Sequence, residues 1–97
     1  FSYNWSSLNP EYFTYQNVYY PNVLYKDVLE TGKFKDEIYF VDNYARTNEQ
    51  EDRARLFESI CACKNYGKYP NLNNKMNYLK KVLTTNFPEL SYVRAFE

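Results

Sequence analysis

From Phe1 to Asp36 aromatic rings recur with no steady helical period, and Pro10 and Pro21 interrupt the run. In "FSYNWSSLNPEYFTYQNVYYPN" the apolar groups fall irregularly at Trp5, Leu8, Phe13 and Tyr15. Such a stretch reads as an extended arm that lays rings over a core built elsewhere, with at most short strand or single-turn pieces. "NVLYKDVLETG" leaves a short helix and a strand both open before Gly32, and "KDEIYFVD" reads as a brief extended segment. Long regular structure is thereby confined to the second half of the chain.

That half carries two helix signatures. Thr47-Asn48-Glu49-Gln50 fits a capping box, with the Thr47 hydroxyl accepting from the backbone and Gln50 reaching back. Glu49, Glu51 and Asp52 follow in the first turn, where the positive end of the helix dipole favours acids. Ala54, Phe57, Ile60 and Cys61 recur at three- and four-residue spacing and predict one buried stripe, broadened by Leu56 and Cys63. This helix is expected over 47–64, ending before Asn65-Tyr66-Gly67. A second is expected over 72–86, capped by Asn71 or Asn73 and ended by Asn86 and Pro88. Its apolar stripe is Leu72, Met76, Leu79, Val82 and Leu83, while Lys75, Lys80 and Lys81 are expected to face water. The fold class that follows is mainly α: an aromatic arm over 1–46, then two packed amphipathic helices, in a single domain or fragment.

Composition excludes several functions. The chain has 97 residues, enough for one modest core and too few for a large enclosed active site. Twelve Tyr and seven Phe make the core from rings, many with a hydroxyl that needs a partner. Histidine is absent, so no Ser-His-Asp triad, Cys-His dyad or histidine-bound metal arises from these residues alone. Twelve basic and twelve acidic side chains cancel, without the basic face of a nucleic-acid binder. Two glycines cannot build a phosphate-cradling loop. No apolar run approaches the roughly 18 residues of a membrane span. Cys61 and Cys63 read as free structural thiols, because a disulfide between them would need the helix broken. Opening at Phe1 with no initiator Met, the chain is expected to be a piece of something longer.

One constellation stands out in "FVDNYARTNEQEDRARLFESI". By itself, Glu51 is an ordinary helix-start acid, stabilised there by about 0.3–1 kcal/mol. Yet it lies three residues before Ala54, on the side of the expected apolar stripe, and so is directed toward packed surface. Tyr44 lies seven residues earlier, in a loop able to bring its hydroxyl to the same place.

"YARTNEQEDRARLFESI" resembles the C-terminal part of the catalytic domain of the lethal-factor-like bacterial zinc metallopeptidases. The opening "WSSLNPEYFTY" is similar to a Trp-x-x-Leu-Asn-Pro-x-x-Phe-x-Tyr pattern of zinc-binding peptidases in this group. The helix near 72–83 has a counterpart at the family's C-terminus. The resemblance implies the C-terminal lobe of a zincin-like domain, in which a His-Glu-x-x-His helix supplies two ligands and the general base. It places the third zinc ligand on Glu51 and an oxyanion-stabilising hydroxyl on Tyr44. Asp52 would then orient a histidine ligand by accepting its second ring N–H. Two features depart from the pattern. Arg55 stands where relatives usually carry an acid, and His-Glu-x-x-His is absent from this chain.

The expectation is therefore a lobe that is inactive alone, with zinc bound only in a longer parent that carries the histidines. Its partners would be that upstream segment and a peptide or protein substrate, with no nucleic acid and no membrane span. The family's habits favour an extracellular or cell-surface location. The alternative is a non-catalytic interaction module whose Tyr-rich surface meets a glycan, cell-wall or protein partner.

Overall fold

The computed structural model describes residues 4–97. The chain is mainly helical, with α1 over Glu49–Cys61 and α2 over Pro70–Asn86. Short 3-10 turns occupy Trp5–Leu8, Lys35–Glu37, Tyr44–Arg46, Pro88–Tyr92 and Arg94–Phe96. Among the described residues no strand forms. The segment around 27–40 instead makes one isolated parallel bridge, Val28 to Phe40. No helix among these residues is long and apolar enough to cross a membrane.

The start of α1 differs from the expected capping box by one residue. Thr47 closes the preceding 3-10 turn in helical conformation, its N–H donating to Tyr44 O at 3.1 Å. A cap residue needs extended backbone, which Asn48 adopts, and its Oδ1 accepts the Glu51 N–H at 2.8 Å. The helix ends at Cys61, earlier than position 64. Cys63 takes a positive φ of 55°, its N–H bonds Ile60 O, and the Lys64 N–H bonds Ser59 O. That pair of bonds is a Schellman ending, which satisfies the last carbonyls.

The rotation of α1 also differs from expectation. Asp52, Leu56, Ser59 and Ile60 are buried, whereas Ala54, Phe57, Cys61 and Cys63 are exposed. Two apolar sets lie at helical spacing on this helix, and the buried one is that which shares a face with Asp52. Ser59 is tolerated inside because its hydroxyl bonds Tyr66 OH at 2.8 Å and Arg55 O at 3.1 Å.

Helix α2 begins two residues before the expected start. Pro70 occupies its first position, where the missing N–H has no intrahelical partner to lose. Asn71, expected to cap, instead donates from its side chain to Asp36 O. Leu72, Met76, Leu79 and Val82 are buried as the stripe predicts. Lys75 is the exception: the lysine expected in water is fully buried, for the reason given below.

These faces meet Trp5, Ile38, Tyr66 and Phe96 in one cluster. Val28, Phe40 and Ala45 form a second, covered by Phe13, Tyr15, Tyr25 and Tyr39. The arm thus lays its rings over a helical core, and the final turn returns Phe96 toward Phe57, ring centroids 6.3 Å apart.

Candidate functional site

The stretch from Asp42 to Asp52 is held from both ends. At its start Asp42 accepts the Ala45 N–H at 3.0 Å and shapes the turn that carries Tyr44. Arg46 turns inward and pairs with Asp27, both side chains nearly enclosed. Its guanidinium lies 3.7 Å from the Tyr25 ring centroid and 5.0 Å from that of Phe13. The arm is tied to the same backbone: Gln16 N–H donates to Arg46 O at 3.1 Å, and Asn17 N–H to Thr47 O at 2.8 Å.

At the other end Asp52 is fully buried, and three donors converge on its Oδ2. They are Tyr15 OH at 2.7 Å, Trp5 Nε1 at 3.1 Å and Lys75 Nζ at 2.6 Å. Lys75 also donates to Tyr39 O at 2.9 Å, and its ammonium sits 4.0 Å from the Phe40 ring centroid. An ammonium enters a core only with such partners, since an unpaired buried charge costs several kcal/mol. Burial raises the Asp52 pKa above the usual carboxylate range and lowers that of Lys75, with each partner pulling the other back. Burial, and then the Asp52 charge, push the Tyr15 phenol up as well, so it stays protonated and donating.

Between these anchors lie the residues singled out in the sequence. Tyr44 is half-buried, its ring edge-on to Tyr19 at 5.2 Å. The Arg55 guanidinium lies 4.7 Å from the Tyr44 ring, 3.6 Å from the Asp42 carboxylate and 3.2 Å from that of Glu58. Arg55 follows Glu51 by four residues, so the two are neighbours on the helix surface. Tyr44 therefore packs beside Arg55, one turn along α1 from Glu51; Glu51 is half-buried, and Ala54, whose face was expected to direct it toward packed surface, is exposed. Asp52, one residue on, turns into the core. Val41, Asp42, Arg55 and Ser59 border a cleft of about 200 Å³ on this flank.

Sequence reasoning passed over Trp5, Tyr15, Asp27, Arg46 and Lys75 as site-forming groups. Lys75 had left a signal: it lies three residues after Leu72 and four before Leu79, within the apolar stripe. Trp5 and Tyr15 lie in the "WSSLNPEYFTY" pattern, which marked them without showing that they converge on Asp52; the Asp27–Arg46 pair, 19 residues apart, left none.

Among the described residues no group of three or more His, Cys, Asp or Glu side chains is placed to hold a metal ion. A catalytic zinc needs about three protein ligands, so these residues do not fit a complete zinc site. Compared with protein-family models, curated proteins and solved structures, the chain matches none.

Proposed function

We propose that the chain is the C-terminal lobe of a zinc-dependent peptidase and is inactive alone. What supports this reading is that Arg55, one helical turn after Glu51, packs on the Tyr44 ring, in a stretch pinned by two buried ion pairs. Groups that act on a substrate need such fixed placement, since small errors of position cost large factors in rate. Glu51 is the glutamate offered to a metal whose other ligands come from an upstream His-Glu-x-x-His segment of a longer parent. Tyr44 donates a hydrogen bond to the oxyanion that forms when the peptide carbonyl is attacked, without adding a competing charge. Asp52 acts as the positioning residue: its bonds to Trp5, Tyr15 and Lys75 hold the first turn of α1, and with it Glu51. Arg55 stands where relatives carry an acid and here braces the Tyr44 ring.

The test is the metal content of the full-length protein. Wild type is expected to hold about one zinc ion per chain, as a site with three protein ligands does. Glu51→Ala is expected to lose it while keeping its fold by circular dichroism. Unchanged zinc content in the variant rejects the ligand assignment. Absence of a His-Glu-x-x-His segment upstream leaves the second reading, a non-catalytic interaction module. The exposed rings at Tyr12, Tyr19 and Tyr20 favour that reading.

A further inference from the structure

From Tyr12 to Tyr25 the chain carries fourteen consecutive residues without a charged side chain, although a quarter of all its residues are charged. This stretch is not spent on the core. Tyr19 is 50% exposed, Leu24 82%, and Val18, Tyr20 and Val23 are exposed too. An exposed apolar patch rimmed by polar groups marks a contact surface more often than chance placement. Its position is fixed: Asn43 donates from Nδ2 to Tyr20 O at 3.0 Å and to Val23 O at 2.9 Å, fastening the loop beside the Tyr44 turn. It is also continuous with the candidate site, because the Tyr19 ring abuts that of Tyr44.

We infer that Val18, Tyr19, Tyr20 and Val23 form a substrate subsite beside Tyr44 that selects an apolar or aromatic residue of a peptide. The inference rests on the reading that Tyr44 acts at the scissile bond. Two features favour a peptide side chain over a sugar. Sugars need polar groups beside the rings, and two of the side-chain amides nearest the patch are already engaged: Asn43 on backbone carbonyls, Gln16 Nε2 on Tyr25 OH at 2.8 Å. The Tyr19 ring also stands edge-on to Tyr44, at 80°, so the two rings present no common flat platform. An uncharged apolar wall offers nothing to a charged side chain, which would lose hydration there without compensation.

The test uses the full-length protein with Glu51→Gln, so that peptides bind without turnover. Two fluorescein-labelled heptapeptides, identical except for Phe or Asp at the centre, are titrated by fluorescence anisotropy. The Phe peptide is expected to bind about tenfold more tightly, the low end of what an apolar pocket discriminates. Adding Tyr19→Ser should reduce that preference to about threefold or less, and Val18→Ser should do likewise in part. Tyr92→Ser, at an exposed position outside the patch, should leave it intact. Circular dichroism verifies the fold of each variant. An unchanged preference in Tyr19→Ser, or no preference in the parent, overturns the inference even if zinc is lost in Glu51→Ala. Loss of preference in Tyr19→Ser together with zinc retained in Glu51→Ala keeps the peptide subsite and removes Glu51 as a ligand. Tyr19-dependent binding of a chitin hexasaccharide, with no binding of either peptide, also overturns the inference and assigns the patch to a glycan.

Discussion

Lys75→Met is the most informative single change in this chain. It preserves much of the aliphatic stem and removes the charge, leaving the Asp52 carboxylate enclosed with only Trp5 and Tyr15 as donors. Removing one partner of a buried ion pair costs about 3–5 kcal/mol. The two remaining hydrogen bonds hold the expected loss near the lower bound, about 3 kcal/mol. A domain of this size has roughly 5–15 kcal/mol in total, so the variant folds but is badly weakened. With a urea slope near 1.5 kcal/mol/M, the midpoint should fall by about 2 M at pH 7. The pH dependence gives an independent sign. Burial raises the Asp52 pKa in the folded state, so just above the ordinary carboxylate range the folded chain binds this proton more tightly than the unfolded chain does. Stability from this group therefore falls as pH rises through the window above the ordinary carboxylate value. Without Lys75 that window extends further upward. The deficit of Lys75→Met should be smallest in acid and grow as pH rises above the ordinary carboxylate range. Chemical unfolding across that range decides the matter. A midpoint drop under about 0.5 M at pH 7, or a deficit that deepens in acid, refutes the account of the pair.

Other consequences are simpler to check. Gly32→Ala places a Cβ 2.6 Å from Lys26 O and 2.8 Å from both Val28 O and Ile38 Cγ1, so a loss of about 1–3 kcal/mol is expected in urea unfolding. Cys63→Gly relieves a left-handed residue at the end of α1 and should gain about 0.5–1 kcal/mol; a loss would show that the strain is not there. In the full-length protein Tyr44→Phe should lower kcat by about 10²–10³ with zinc content unchanged, and an unaltered kcat removes its proposed role.

Legibility differed sharply between the two helices. The stripe of α2 was plain because its apolar residues form one set at helical spacing, and Pro88 closes it. Only Lys75 misled, since a lysine defaults to solvent unless a distant carboxylate receives it, and Asp52 lies 23 residues away. The position of α1 was also legible, but its rotation was not. Leu56 with Ile60, and Ala54 with Phe57 and Cys61, are two apolar sets on one helix, and periodicity cannot rank them. What ranks them is a bond between Trp5 and Asp52, 47 residues apart. The arm was legible as a covering layer, yet its backbone pairing to residues 46 and 47 leaves no mark in composition. The ties that fix the Tyr44 turn and the first turn of α1 are these same long-range bonds, so sequence could name Tyr44 and Glu51 as neighbours but not what holds their segments in place.

The competition between those apolar sets gives the buried Asp52–Lys75 pair a role in seating α1. A buried pair rarely adds net stability over an apolar substitute of the same size, so its selective value must lie elsewhere. Here it penalises the wrong rotation of α1, since burying Ala54, Phe57 and Cys61 would strand Asp52 away from Lys75. Phe40 couples the two pairs: its ring lies 4.0 Å from Lys75 and 5.7 Å from Arg46, so both cations pack on one side chain. A variant that removes both Asp52 and Lys75 charges separates stability from specification. Asp52→Asn with Lys75→Met keeps an acceptor for Trp5 and Tyr15, and should lie within about 2 kcal/mol of wild type. Its α1 should nonetheless be less uniquely seated, with the amides of the first helical turns exchanging about tenfold faster or more than global unfolding predicts. Exchange in that turn limited only by global unfolding, as in the rest of the core, would mean that packing alone sets the rotation and that the pair specifies nothing.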